Sequence, residues 1–189
     1  MTTEDRVRRA AVELFAARGF HGTGIRDLAV AASLSSATLY HYMGTKEDLL
    51  VEIMRTSLER LLKDAEQVVA NVDDPVEQLK RLVGMHVRAH AERPLETFVV
   101  DGEMRALTEP RRSEIVALRD RYERIWQDAI TTGCRTGVLR ADPPNVARIA
   151  LLEMCSGVSR WYSPAGPLSL DDLAVRYTEM ALGLLGASW

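Results

Sequence analysis

The sequence predicts an all-α fold of about nine helices, with an N-terminal three-helix unit over residues 1–48 followed by a larger helical unit over residues 49–189. Three observations carry this expectation. Apolar residues recur at helical spacing almost throughout, and no stretch alternates with the period of a strand. All seven prolines lie beyond residue 74, where they fall between periodic runs and not within them.

Val7, Ala10, Ala11, Leu14 and Phe15 share one face of a helix predicted at about 4–18, which Arg18 and Gly19 end with a cation and a terminating glycine. Ile25, Leu28, Ala29 and Ala32 form a short second helix, with Thr23 or Gly24 as its cap and Asp27 in its first turn. A third short helix follows at about 35–41. Thr45 and Asp48 resemble a capping box with a shortened acid, and they open a long helix at about 45–70 that links the two units. Pro75, Pro94, Pro110 and Pro143-Pro144 then mark helices at about 75–91, 94–107, 110–136 and 144–162, and the turn SPAGPLS leads into the last, 170–186.

No apolar run approaches the roughly 18 residues needed to cross a bilayer, and the N-terminus has no apolar signal core, so the expected location is the cytoplasm. Cys134 and Cys155 fit neither a disulfide framework nor zinc spacing and are expected to be reduced. The net charge of -3 argues against a generally basic nucleic-acid binder, but its distribution is uneven. Through residue 46 six bases face four acids, so that segment is +2 and the remainder -5. Attraction for phosphate is expected at the N-terminal end.

That end has helix-turn-helix spacing. In IRDLAVAASLSSATLYHYMGTKEDLL two short helices meet at a tight turn around Ala32, Ser33 and Leu34. A helix that enters a major groove needs small, hydrogen-bonding residues at its start, which Ser35, Ser36, Ala37 and Thr38 supply. It also needs an apolar support, expected from Leu39 with Phe15, Leu28 and Leu49.

The pattern F-x-x-x-G-F-x-G-T-x-I-R-D-L-A followed by S-x-A-T-L-Y-H-Y-x-x-x-K-E-D-L-L resembles the signature of the tetracycline-repressor (TetR) family. The resemblance implies a homodimeric, ligand-responsive DNA regulator. In such a protein Arg26, Ser36 and Thr38 approach base edges, while Thr23, Tyr40, His41 and Lys46 hold phosphates. Ser33 stands where the family usually has glycine, and Met43 where it usually has phenylalanine. Of Tyr40, His41 and Tyr42, one is expected to pack inward.

Further along, GEMRALTEPRRSEIVALRDRYERIWQDAITTGCRTGVLR and RWYSPAGPLSLDDLA resemble regulators of fatty-acid and steroid catabolism that answer to acyl-CoA thioesters. The resemblance implies an apolar tunnel for the acyl part, with Met85, Phe98, Met104, Trp126 and Met154 as candidates. Arg105, Arg119 and Arg160 are the candidate cations for its phosphates. Helix 144–162 is apolar around much of its circumference and, with 170–186, is the expected dimer interface.

Other patterns are weaker. The GFHGTG glycines follow a helix where a dinucleotide fingerprint requires a strand, so they read as a turn. His86 and His90 have the i, i+4 spacing of metal ligands, but no carboxylate completes a zinc motif. Glu103 and Arg105 are free to hold a polar ligand or to pair with neighbouring arginines. No nucleophile elbow or paired carboxylates point to an enzyme, and no cofactor is expected. The rival reading is an all-helical enzyme or ligand carrier without DNA binding.

Overall fold

Ten α-helices and one 3-10 turn make up the regular structure among residues 2–187, the residues that the computed structural model describes; no strand occurs among them. The helices are α1 (Thr3–Arg18), α2 (Ile25–Ala31), α3 (Ser36–Met43), α4 (Lys46–Val69), α5 (Pro75–Glu92), α6 (Pro94–Gly102), α7 (Arg111–Arg135), α8 (Pro144–Ser156), α9 (Val158–Trp161) and α10 (Leu170–Leu184). No helix among the described residues is long and apolar enough to cross a membrane.

The caps follow from the sequence. Thr2 and Asp5 form a capping box on α1, Gly24 N–H donates to Asp27 at the start of α2, and Ser35 accepts from Thr38 N–H at the start of α3. Thr45 and Asp48 bond reciprocally at the start of α4, at 2.9 and 3.0 Å. Two expected helices are interrupted. The segment 94–107 ends as an α-helix at Gly102 and continues as a 3-10 turn, Met104–Ala106. The segment 144–162 breaks at Gly157, a residue whose presence inside a helix costs about 1 kcal/mol relative to alanine.

The chain forms two compact units. One holds the chain through Leu58 together with Leu95–Ala117, and the other holds Glu59–Pro94 together with the chain from Leu118 on. In the first unit α1, α2 and α3 pack on one another around Phe15, Leu28 and Leu39, all essentially inaccessible to solvent. Leu50, Ile53 and Met54 of α4 are equally buried.

In the second unit α5 packs along α10 and against α8 and α9. Its core includes Leu79, Leu82, Val87, Trp126, Ile130 and Leu151. At about 25 cal/mol per Å² the burial of such side chains is worth roughly 1.5–3 kcal/mol each, which is what holds short helices together.

Candidate nucleic-acid interface and ligand site

The loop between α1 and α2 is locked from within. Gly22 has no room for a side chain, since a Cβ there would lie 2.2 Å from the Arg18 carbonyl oxygen. Thr23 is only 1% exposed, with its hydroxyl 2.9 Å from the Gly19 carbonyl and 3.3 Å from that of Leu14. Lys46 reaches back into this loop and donates to the carbonyls of Phe20 (2.7 Å) and Thr23 (2.8 Å), its ammonium 4.3 Å from the centre of the Phe20 ring. The Thr23 hydroxyl is thus committed inside the unit, and two of the three Lys46 N–H groups are used on carbonyls.

The turn before α3 is made by Ser33, whose φ of 57° lies in the left-handed region that favours glycine. From there α3 turns Leu39 and Met43 inward and leaves Ser35, Ser36, Thr38, Tyr40, His41 and Tyr42 exposed. The expectation that one of the three aromatic residues packs inward is not met. Tyr40 and Tyr42 are 51% and 39% exposed, because Leu39 and Met43, four residues apart, already fill the inward face. Ser35 Oγ lies 2.8 Å from Thr38 Oγ1, so the helix start presents an ordered hydroxyl pair. Arg26 is exposed on α2.

Residues 95–117 tie this unit together. Phe20 N–H donates to Glu103 Oε1 at 3.1 Å. Glu47 accepts from both the N–H (2.7 Å) and the hydroxyl (2.8 Å) of Thr108 and from Arg111 (2.9 Å), and Arg111 also donates to Asp48. Thr108 first and Arg111 second hold the Glu47 carboxyl below its ordinary range; for Asp48 the Thr45 hydroxyl and N–H come first. Arg8 pairs with Glu96 at 3.2 Å and Arg55 with Glu114 at 2.6 Å. Nothing in one-dimensional spacing signals these partners, which stand 59 to 88 residues apart in sequence.

In the second unit the polar interior is concentrated at one place. His86 Nδ1 lies 2.6 Å from Tyr122 Oη and its Nε2 3.1 Å from Ser156 Oγ, while His90 stacks on its ring at 3.9 Å and bonds the His86 carbonyl through Nδ1. Burial first, and the neighbouring His90 second, push His86 well below its ordinary pKa. Trp126 completes the cluster edge-on to His86. Cys134 and Cys155 are free thiols, and burial raises the Cys155 pKa to about 12.

Of the expected ligand residues, Trp126 is fully buried here, and Met85 and Met154 pack half-buried against the same core. Arg119 is half-buried and Arg160 exposed in this unit. Phe98, Met104 and Arg105 belong to the first unit, where Phe98 and Arg105 are exposed.

Residues 7–53 match the model of bacterial regulatory proteins of the tetR family, and residues 72–185 match the tetracyclin repressor-like C-terminal domain. The chain belongs to the TetR family. As a member of it, the chain is a ligand-responsive, DNA-binding regulator.

Its curated relatives include the HTH-type transcriptional repressor KstR2 of Mycolicibacterium smegmatis, 29% identical over 95% of this chain and 88% of that protein. The fatty acid metabolism regulator protein of Bacillus subtilis is 24% identical over 69% and 68%. Among solved structures, the ketosteroid transcriptional regulator KstR2 of Mycobacterium tuberculosis superimposes with a TM-score of 0.89, at 26% identity, over 100% of this chain and 96% of that one. The TetR helix-turn-helix is thus present with its usual fold, and Ser33 keeps the turn conformation without glycine.

Proposed function

We propose that this TetR-family regulator is a homodimeric repressor, released from its operator when a small hydrophobic effector, an acyl-CoA thioester, enters its larger helical domain. Residues 1–48 form the DNA-reading domain in this reading, and residues 49–189 form the effector-binding and dimerisation domain.

The observation that carries it is the outward face of α3, where a capped, hydroxyl-bearing helix start and three exposed aromatic residues stand on a rigid apolar support. Ser36 and Thr38, with Arg26, read base edges, and Ser35 sets the helix start. Tyr40 and His41 take phosphates, joined by the remaining N–H of Lys46. Thr23 acts by fixing the loop from which α2 starts. The printed names of the relatives, a repressor and a regulator of fatty-acid metabolism, support the direction of control and the effector class.

The test is binding to DNA from upstream of the chain's own coding region, followed by anisotropy across a salt series. Affinity should fall steeply with salt, and Tyr40→Ala should weaken it about fivefold to tenfold with the oligomeric state unchanged. Long-chain acyl-CoA, but not coenzyme A alone, should then release the complex. Absence of sequence preference at every salt concentration, with Tyr40→Ala indistinguishable from wild type, would favour the ligand carrier instead.

A further inference from the structure

Trp126 is wholly inaccessible to solvent, and its indole Nε1–H has no hydrogen-bond partner among the described residues. A buried donor without an acceptor is costly and rare in a packed core. It sits beside another donor. Tyr122 Oη, the neutral His86 ring and Ser156 Oγ bring three protons to the two hydrogen bonds between them, so one hydroxyl proton is left at an end of the chain, whichever tautomer His86 adopts.

We propose that Trp126 Nε1 and the His86–Ser156 pair form a hydrogen-bonding anchor for one uncharged carbonyl oxygen of the effector, as in a thioester, ester or ketone. This rests on the reading of the chain as an effector-responsive regulator and names the chemistry of that response. The anchor offers donors and asks for an acceptor. It has no cation to match a carboxylate: the groups facing His86 are His90 and Tyr122, and burial holds His86 itself neutral. A free acid would bury its charge uncompensated, whereas a neutral carbonyl would not.

Two local features let the anchor open. Ser156 is the last residue of α8, next to the break at Gly157. Met85 and Met154 pack half-buried against the same core, and their flexible thioethers repack at little cost.

The experiment uses the full chain with nitrogen-15 in its tryptophans. Three indole resonances are expected, and Trp126→Phe assigns one of them. Butanoyl-, octanoyl- and palmitoyl-CoA, methyl octanoate, 2-octanone and octanoate are titrated in turn. At least one neutral carbonyl probe should move the Trp126 resonance downfield, octanoate should leave it in place, and Trp126→Phe should weaken binding of the active probe about fivefold to tenfold. A resonance unmoved by every probe would leave a buried water as the acceptor and overturn the proposal, as would equal movement by octanoate. Operator binding is measured on the same sample. Its failure would sink the proposed function, while the indole result judges the anchor alone.

Discussion

Ser33 carries a cost that the rest of its turn absorbs. An L-residue in the left-handed region is less stable than glycine there by about 1 kcal/mol, and no side-chain hydrogen bond is seen at Ser33 to offset it. Ser33→Gly should therefore stabilise the protein by about 1 kcal/mol, read as a higher urea midpoint at unchanged slope. Ser33→Val should destabilise it, and a Gly variant no more stable than wild type would remove the strain argument. The departure at this position was visible in the sequence because a family pattern exposed it. Other residue-scale facts were not. Thr23 and Lys46 are the residue types that hold phosphates, yet one buries its hydroxyl and the other turns back onto two carbonyls. Sequence pattern tells residue type and helical face, but not which acceptor lies nearer in space.

At the scale of elements, α8 shows how a helix can serve two surfaces. Leu151 and Cys155 face the core with no exposure, while Val146 and Ile149 on the opposite side are about half exposed. The apolar circumference seen in the sequence is thus a core face and an outer face. Val175, Met180 and Leu184 of α10 are likewise exposed apolar residues. If α8 and α10 form the homodimer interface, Ile149→Arg should yield a folded monomer by light scattering, with helicity preserved. Leu151→Arg should instead lose the fold, because it places a charge in the core. A stable dimer for Ile149→Arg would move the interface elsewhere. The break at Gly157 escaped the sequence reading because the apolar period continues across it into Val158. The 3-10 turn at Met104–Ala106 escaped for a similar reason.

At the scale of the whole chain, helix type and order were legible because periodicity, caps and proline punctuation agree over most of the length. Compact grouping was less so. Leu95–Ala117 joins the N-terminal unit through Glu96, Glu103, Thr108 and Arg111, four polar residues whose partners lie in α1, its following loop and α4. Hydrophobic pattern marks which face of a helix is buried, but says nothing about which distant segment covers it. The buried cluster around His86 was foreshadowed only as a pair of histidines four apart. Tyr122, Trp126 and Ser156, which give that pair its chemistry, come from two other helices.

The enclosure of His86 also sets a limit on the acid side. Its ordinary pKa is 6.5, and in the folded chain it is held well below that value. As pH falls through 6.5 the unfolded chain takes up a proton that the native ring refuses, so stability present above that pH is progressively lost. The carboxyls Glu47, Asp48 and Glu114 contribute in the same direction, but only below their ordinary values of 4.5, 3.8 and 4.5, so the two windows separate. Between pH 7 and 5.5 the wild-type chain should lose about 1 kcal/mol more than His86→Gln in urea unfolding, and parallel curves for the two proteins would mean that His86 accepts its proton in place. A mildly acidic medium would thus tax this regulator through a single imidazole in its interior, well before any of its surface ion pairs is touched.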